Sequence, residues 1–450
     1  MTTLSRQLAE LLQSDLSSHI DDDIHRTVLI AFLDTVGCIL SGRDEPVTRK
    51  TAEWIRSHYR SRPEARWLLS DERNSVGATA MINAVSGHAL DFDDVALAGH
   101  PSVVLVPVLL AESDRSGLRG IDLVAAYVKG YQVWAELVNR LSEPLHDKGW
   151  HPTAVLGTIG AAAALCAARK LSIEQTQHAL GIAASRASGL VANFGSMTKP
   201  LHAGWAAEQG VSSVELAELG VTASADALDA RNGFLRAMSD QLPPILHGPC
   251  AGADQLAIRS VRPSVKKYPV CYAAHRAIDG VVQLRGKHGV QPHQVERIDV
   301  EVSPTNAQVL KYAVPATPLE AKFSMPFACA SALVMGNVGL GQLNEETLAH
   351  PDVQRLMPRV HVSTVDTQCP LEPTFALHDR VRITLADGQV LDSGPIRFAL
   401  GHALNPLRPE QIRSKVRDCA GPSDALLAEQ LMEEVTGRLD LSHARQASVA

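Results

Sequence analysis

Through most of the first 262 residues apolar positions recur every third or fourth residue, in segments broken by Gly, Pro or Ser. That period predicts packed helices. The clearest runs are Ile24 to Leu40, Ser75 to Leu90, Ile121 to Leu141, Val155 to Lys170 and Glu174 to Ala187. Ser172 ahead of Ile173-Glu174-Gln175, and Pro101-Ser102 after His100, read as helix starts. A Ser oxygen there can accept a first-turn N–H, and Pro has no N–H to leave unpaired. From Pro263 to about Gly401 the period changes. Val295 to Val302 and Val360 to Val365 alternate apolar and polar residues as half-buried strands do. Val381 to Leu385 faces Gln389-Val390-Leu391 across Ala386-Asp387-Gly388, a hairpin turn. Helices over Tyr272 to Leu284 and Leu319 to Met335 would cover one face of that sheet, and Pro409 to Leu439 is helical again. The pattern therefore predicts a mainly α chain: a large all-helical domain (1–262 and 402–450) plus a smaller α+β lid domain (263–401) with an antiparallel sheet.

Composition narrows the function classes. Aromatic residues are 4% of the chain against 45% hydrophobic residues in all, so Ala, Leu and Val fill the core and helices can approach closely. Acidic and basic residues, 49 and 42, are dispersed without a basic stripe, which argues against a nucleic-acid partner. The seven cysteines never form a CxxC pair, as expected of reduced thiols in a cytoplasmic protein. No basic start followed by an apolar stretch marks a signal peptide, and no run reaches the ~18 uncharged apolar residues of a membrane span, so no membrane partner is expected.

Four constellations carry candidate chemistry. His88-Ala-Leu-Asp91-Phe-Asp93-Asp94, followed by Gly99-His100-Pro-Ser102, gathers three carboxylates and two imidazoles at one helix end. Crowded carboxylates cannot all ionise cheaply, so an acid–base group is expected here with His100 as partner, while a solvated, Asp-capped helix end is the alternative. A metal-dependent hydrolase built on His88, Asp91, Asp93 and His100 is a further alternative, although no phosphate loop, HExxH or EF-hand spacing accompanies them. His151 lies ahead of the small-residue run from Gly157 to Ala164, at a helix start. Lys199 and His202, three apart, flank Pro200 at another, where a lysine can anchor a carboxylate. Lys266-Lys267-Tyr-Pro-Val-Cys271, running on to His275 and Asp279, falls where helices give way to strands, the usual place for a ligand cleft. No GxGxxG, GxSxG or GK[ST] motif is complete, so side chains must do the chemistry.

Taken in order, His88-Ala-Leu-Asp-Phe-Asp-Asp94, His100-Pro-Ser102, Gly149-Trp-His-Pro-Thr153, Thr198-Lys-Pro-Leu-His202 and Lys267-Tyr-Pro-Val-Cys271 resemble the MmgE/PrpD family of 2-methylcitrate dehydratases, which includes cis-aconitate decarboxylase and iminodisuccinate epimerase. The resemblance spans nearly the whole chain. It implies a homodimer with an active site between two domains and neither metal nor organic cofactor. It carries the site onto Asp91, His100, His151, Lys199 and Lys266, with His202 and Lys267 as added neighbours. The lysines would anchor substrate carboxylates, Asp91 or His100 would act as base, and His151 would protonate a departing hydroxyl. Phe327 stands where the decarboxylase branch has a tyrosine, and Cys271 is also atypical. The resulting expectation is a lyase that removes water from a 2-hydroxy di- or tricarboxylate such as 2-methylcitrate. Decarboxylation, epimerisation and, from another class, non-catalytic binding are the alternatives.

Overall fold

The computed structural model describes residues 2–59 and 62–442; residues 443–450 of the expected helical domain lie outside the described residues. The helices appear as Asp22–Gly42, Val76–His88, Gly120–Arg140, Pro152–Ala168 and Ile173–Arg186. Ser172 caps the last of these by accepting from Gln175 N–H, while the Gln175 side chain accepts from Ser172 N–H. Pro152–Ala168 and Thr198–Glu218 pack tightly along their small residues. A Cβ on Gly210 would overlap Ala161, so only glycine permits that approach.

The all-helical expectation fails in two places. Residues 221–262 hold only the four-residue helices Phe234–Ala237 and Ala257–Ser260 and one 3-10 turn, because Pro243, Pro244, Pro249 and several glycines interrupt the backbone ladder. The helical part also carries a two-residue antiparallel ladder, Ala65–Arg66 with Arg73–Asn74. By length and composition Asp22–Gly42 could cross a bilayer. It instead packs in the core, where its buried Asp34 meets Lys415 Nζ at 2.7 Å.

The four-stranded sheet runs Val360–Thr364, Val295–Val302, Arg380–Leu385, Val390–Asp392. The last two form the expected hairpin, with Gly388 at φ 86°. Val295–Val302 pairs antiparallel with Arg380–Leu385 but parallel with Val360–Thr364, so the sheet is mixed at one edge. The chain between those parallel strands is long enough for a helical crossover and supplies Met325–Met335. A register shift after Val295 exposes both Glu296 and Arg297, which breaks the strict alternation at that end. His275–His288 and Met325–Met335 bury apolar faces with the strands in one cluster. A larger cluster holds the long helices together with Ile412, Val416, Leu431 and Val435 of the C-terminal helices Pro409–Ala420 and Ala425–Arg438.

Candidate active site

Four helix ends meet beside the start of the sheet-bearing part. Val76–His88 delivers His88 from its last turn, and the loop that follows is held in unusual backbone. Asp91, Leu97 and Ala98 have φ of 54°, 49° and 62°, three of the four positive non-glycine values among the described residues. Asp tolerates this conformation better than most residues, and such clustering is typical of functional loops. Gly99 lies so close to Trp134 and Thr153 that a Cβ would stand 2.9 Å from Trp134 Cζ2. His100 and His151 are the N-cap residues of Pro101–Ser116 and Pro152–Ala168, each fixed by a proline at the first helical position. Lys199 lies in the first turn of Thr198–Glu218 and His202 at the start of the second. Three helix N-termini therefore point positive dipole ends at one region.

The side chains converge on Asp91. Lys199 Nζ lies 2.5 Å from Asp91 Oδ1, Lys266 Nζ lies 3.1 Å from Oδ2 and also donates to the Asp91 carbonyl at 2.8 Å, and His100 Nε2 is 3.7 Å from Oδ1. Burial opposes ionisation of Asp91, but the Lys199 and Lys266 ammonium groups overcome it and hold the carboxyl well below its usual range. Asp93 sits between His88 Nδ1 at 2.9 Å and His100 Nδ1 at 3.0 Å. It too is buried, and both imidazoles keep it well below the ordinary carboxylate range. Asp94 goes the opposite way: burial, then nearby Asp34, push it well up, and its partner is Ser102, itself 2.7 Å from the Tyr127 hydroxyl. Asp94 therefore belongs to the support behind the loop.

His151 Nδ1 is 3.0 Å from His202 Nδ1. Burial first, and then Lys199, push both rings down, His202 to about 4. Both are therefore neutral at neutral pH. Their hydrogen bond requires one ring to carry its proton on Nδ1, which leaves a bare Nε2 on that ring. The His151 ring stacks over His88 at 5.9 Å and meets Phe194 edge-on at 4.9 Å. Lys199 Nζ lies over the Phe194 and Phe323 rings at 5.1 and 5.3 Å.

The structure thus brings together Asp91, His100, His151, Lys199, His202 and Lys266. It does not bring in Lys267, whose ammonium lies 4.9 Å over the Tyr268 ring. Two groups absent from the sequence constellations join the site. Lys322 lines the same cleft as His88, Asp91, Lys199 and Phe323, about 230 Å³ including the part open to solvent. A lone lysine in Ala321-Lys-Phe-Ser324, just before a helix start, was its only signal. His146 lies nearby, pushed down to about 4 by burial and then by His100 and Lys199, and lines a second cavity of about 400 Å³ with Phe194 and Lys311. His88, Asp91, Asp93 and His100 have ligand atoms within 4.8 Å of one another and could in principle hold a cation. Two ammonium groups on Asp91 make the surroundings better suited to an anion.

Models of the MmgE/PrpD N-terminal and C-terminal domains match residues 6–245 and 268–439. The chain belongs to the MmgE/PrpD family. Among the relatives of this MmgE/PrpD protein is cis-aconitate decarboxylase of Mus musculus, 28% identical over 431 residues, spanning 93% of this chain and 86% of that protein. The Homo sapiens cis-aconitate decarboxylase is 27% identical, spanning 93% and 88%. That of Aspergillus terreus is 23% identical over 89% and 86%. Phe327, where the decarboxylase branch is expected to carry tyrosine, is fully buried in the cluster around the sheet.

Proposed function

We propose that this MmgE/PrpD protein is a lyase that needs no cofactor, acts on a small di- or tricarboxylate, and expels water from a 2-hydroxy acid of the 2-methylcitrate kind. The observation that carries the reading is the buried cluster in which Lys199 and Lys266 share Asp91 beside the neutral His151–His202 pair. An incoming carboxylate competes with Asp91 for the two ammonium groups. Once there, it becomes more acidic at the adjacent carbon, because charge pushed onto its oxygens as the proton leaves is stabilised by cations already in place. With His151 as the ring that carries its proton on Nδ1 toward His202, its bare Nε2 takes the proton, in place of the leaving-group donor role first expected of it. His100 is the better donor. In its doubly protonated form it gives Nδ1–H to Asp93 while Nε2–H faces the Asp91 side of the site and can be passed on. The C–H electron pair forms the new double bond, the C–O bond breaks, and the hydroxyl leaves as water with the proton from His100.

A second reading, loss of carbon dioxide from cis-aconitate, is favoured by the names of the relatives. It would use the same lysines, with a proton delivered to carbon after C–C cleavage. Against it stands Phe327, which has no phenolic proton to give. The test is to incubate the purified protein with 2-methylcitrate, citrate and cis-aconitate, following alkene absorbance, carbon dioxide release and α-proton exchange in heavy water. Alkene from the hydroxy acids supports dehydration. Carbon dioxide from cis-aconitate replaces it with the second reading, and exchange without either product rejects both in favour of epimerisation.

A further inference from the structure

Lys322 follows the short helix Pro318–Ala321 and precedes Ser324, the N-cap of Met325–Met335. Its carbonyl accepts from Cys271 N–H at 2.9 Å, which ties it to the segment carrying Lys266. The side chain is 3% exposed, and Nζ donates to the Ala89 carbonyl at 2.9 Å, two residues before Asp91. Among the described residues no carboxylate lies within 4.0 Å of this ammonium. It is therefore a buried cation with a backbone partner and no carboxylate in contact; burial pushes it down to about 8, with the Glu45 and Asp91 charges beyond contact distance opposing that only in part, and such an arrangement is costly unless something else supplies the negative charge.

Lys199 and Lys266 differ from it, since both sit on Asp91. Lys199 and Lys322 thus line the cleft, with Lys266 behind it on the Asp91 carboxylate that it shares with Lys199. Asp93 is engaged by His88 and His100 and offsets none of them. The surplus positive charge suits a ligand with more than one carboxylate. Lys199 and Lys266 take the one next to the reacting carbon, and Lys322 is left facing a more distant one.

Building on the polycarboxylate reading above, we propose that Lys322 anchors the carboxylate farther from the reacting carbon and is the residue that makes this protein favour dicarboxylates over monocarboxylates. It is a specificity residue and moves no proton in the reaction. A charge-assisted hydrogen bond in a desolvated site accounts for about 10- to 100-fold in affinity.

The test uses two unreactive probes, glutarate and valerate, the second having the same chain with one carboxylate replaced by methyl. Binding is measured by calorimetry to the wild type, Lys322→Met and Lys322→Arg. The wild type should prefer the dicarboxylate by about 10-fold or more. Lys322→Met should bring the two probes within about twofold, by weakening the dicarboxylate alone, and Lys322→Arg should keep much of the preference. A wild type that binds both probes equally overturns the proposal, whether or not either variant folds, and so does a Lys322→Met protein that keeps the full preference. Because neither probe has a leaving group, an intact preference with no product from any substrate counts against the lyase reading and not against Lys322.

Discussion

Lys199 Nζ and Asp91 Oδ1, 2.5 Å apart, join the first turn of a helix to a carboxylate carried on left-handed backbone. Both side chains are at most 5% exposed. Removing one partner of such a pair strands the other. Asp91→Asn should therefore abolish turnover and also lower stability, by about 3–5 kcal/mol, because Lys199 and Lys266 lose their shared counter-charge. Thermal melting alongside an activity assay checks both halves.

Lys199→Met should fold but lower kcat/KM by about 10²- to 10³-fold, the usual cost of removing one preorganised donor to developing charge. Lys199→Arg should recover only part of this, since the planar guanidinium does not reproduce the compact ammonium's contact with Asp91 Oδ1 in a buried site. An unchanged kcat/KM in Lys199→Met would remove the lysine from the chemistry.

Acid should destabilise the protein well above the pH at which carboxylates titrate. Burial pushes His88 down to about 3 and His202 to about 4, and His151 also falls well below a free imidazole. The unfolded chain then binds more protons than the folded one. The stability these rings contribute is complete above about pH 6.5 and is lost as pH falls toward 4, each adding at most about 1.4 kcal/mol per pH unit. Asp91 and Asp93, held low, add the same sign of change below about pH 4. Melting temperature measured from pH 7.5 to 4.5 should fall steadily, and His202→Gln should flatten the slope.

Gly99→Ala should impair activity more than its size suggests. The new methyl would press on Trp134 and on Thr153, whose Oγ1 accepts from His100 N–H at 3.1 Å. Displacing His100 by a fraction of an ångström should cost about 10²-fold in kcat. A variant with wild-type kcat would show that the loop can yield there.

Behind the site, Lys415 Nζ meets Asp34 at 2.7 Å, donates to the Phe92 carbonyl at 2.7 Å and lies over the Phe92 ring. Lys415→Met alone should cost about 3–5 kcal/mol, whereas Asp34→Leu with Lys415→Met should recover much of it, because no charge is then left buried. Equal melting temperatures for the single and double variants would contradict this.

Much of this was legible in the sequence where local rules dominate. Helix ends were marked by Ser172 and Pro101, and the hairpin by Asp387-Gly388, because caps and turns are set by a few adjacent residues. The site was legible in part: Asp91, His100, His151, Lys199 and Lys266 stood in recognisable runs. Lys322 did not, since a single lysine among apolar neighbours looks the same whether it snorkels to solvent or turns inward. The neutrality of His151 was equally hidden, for it depends on burial and then on Lys199, forty-eight residues away. The parallel edge strand escaped because Val360 to Val365 alternates the same way whichever direction it runs.

The lysines of the sheet-bearing part have a mechanical consequence. Lys266 and Lys322 reach out of their own segment to the Asp91 and Ala89 carbonyls, so they stitch the seam between the sheet and the helical core. Widening the cleft to admit a ligand pulls on those stitches, and a bound polyanion would tighten them again. The same positive charges that would recognise the ligand thus also act as the clasp that fastens the two parts around it.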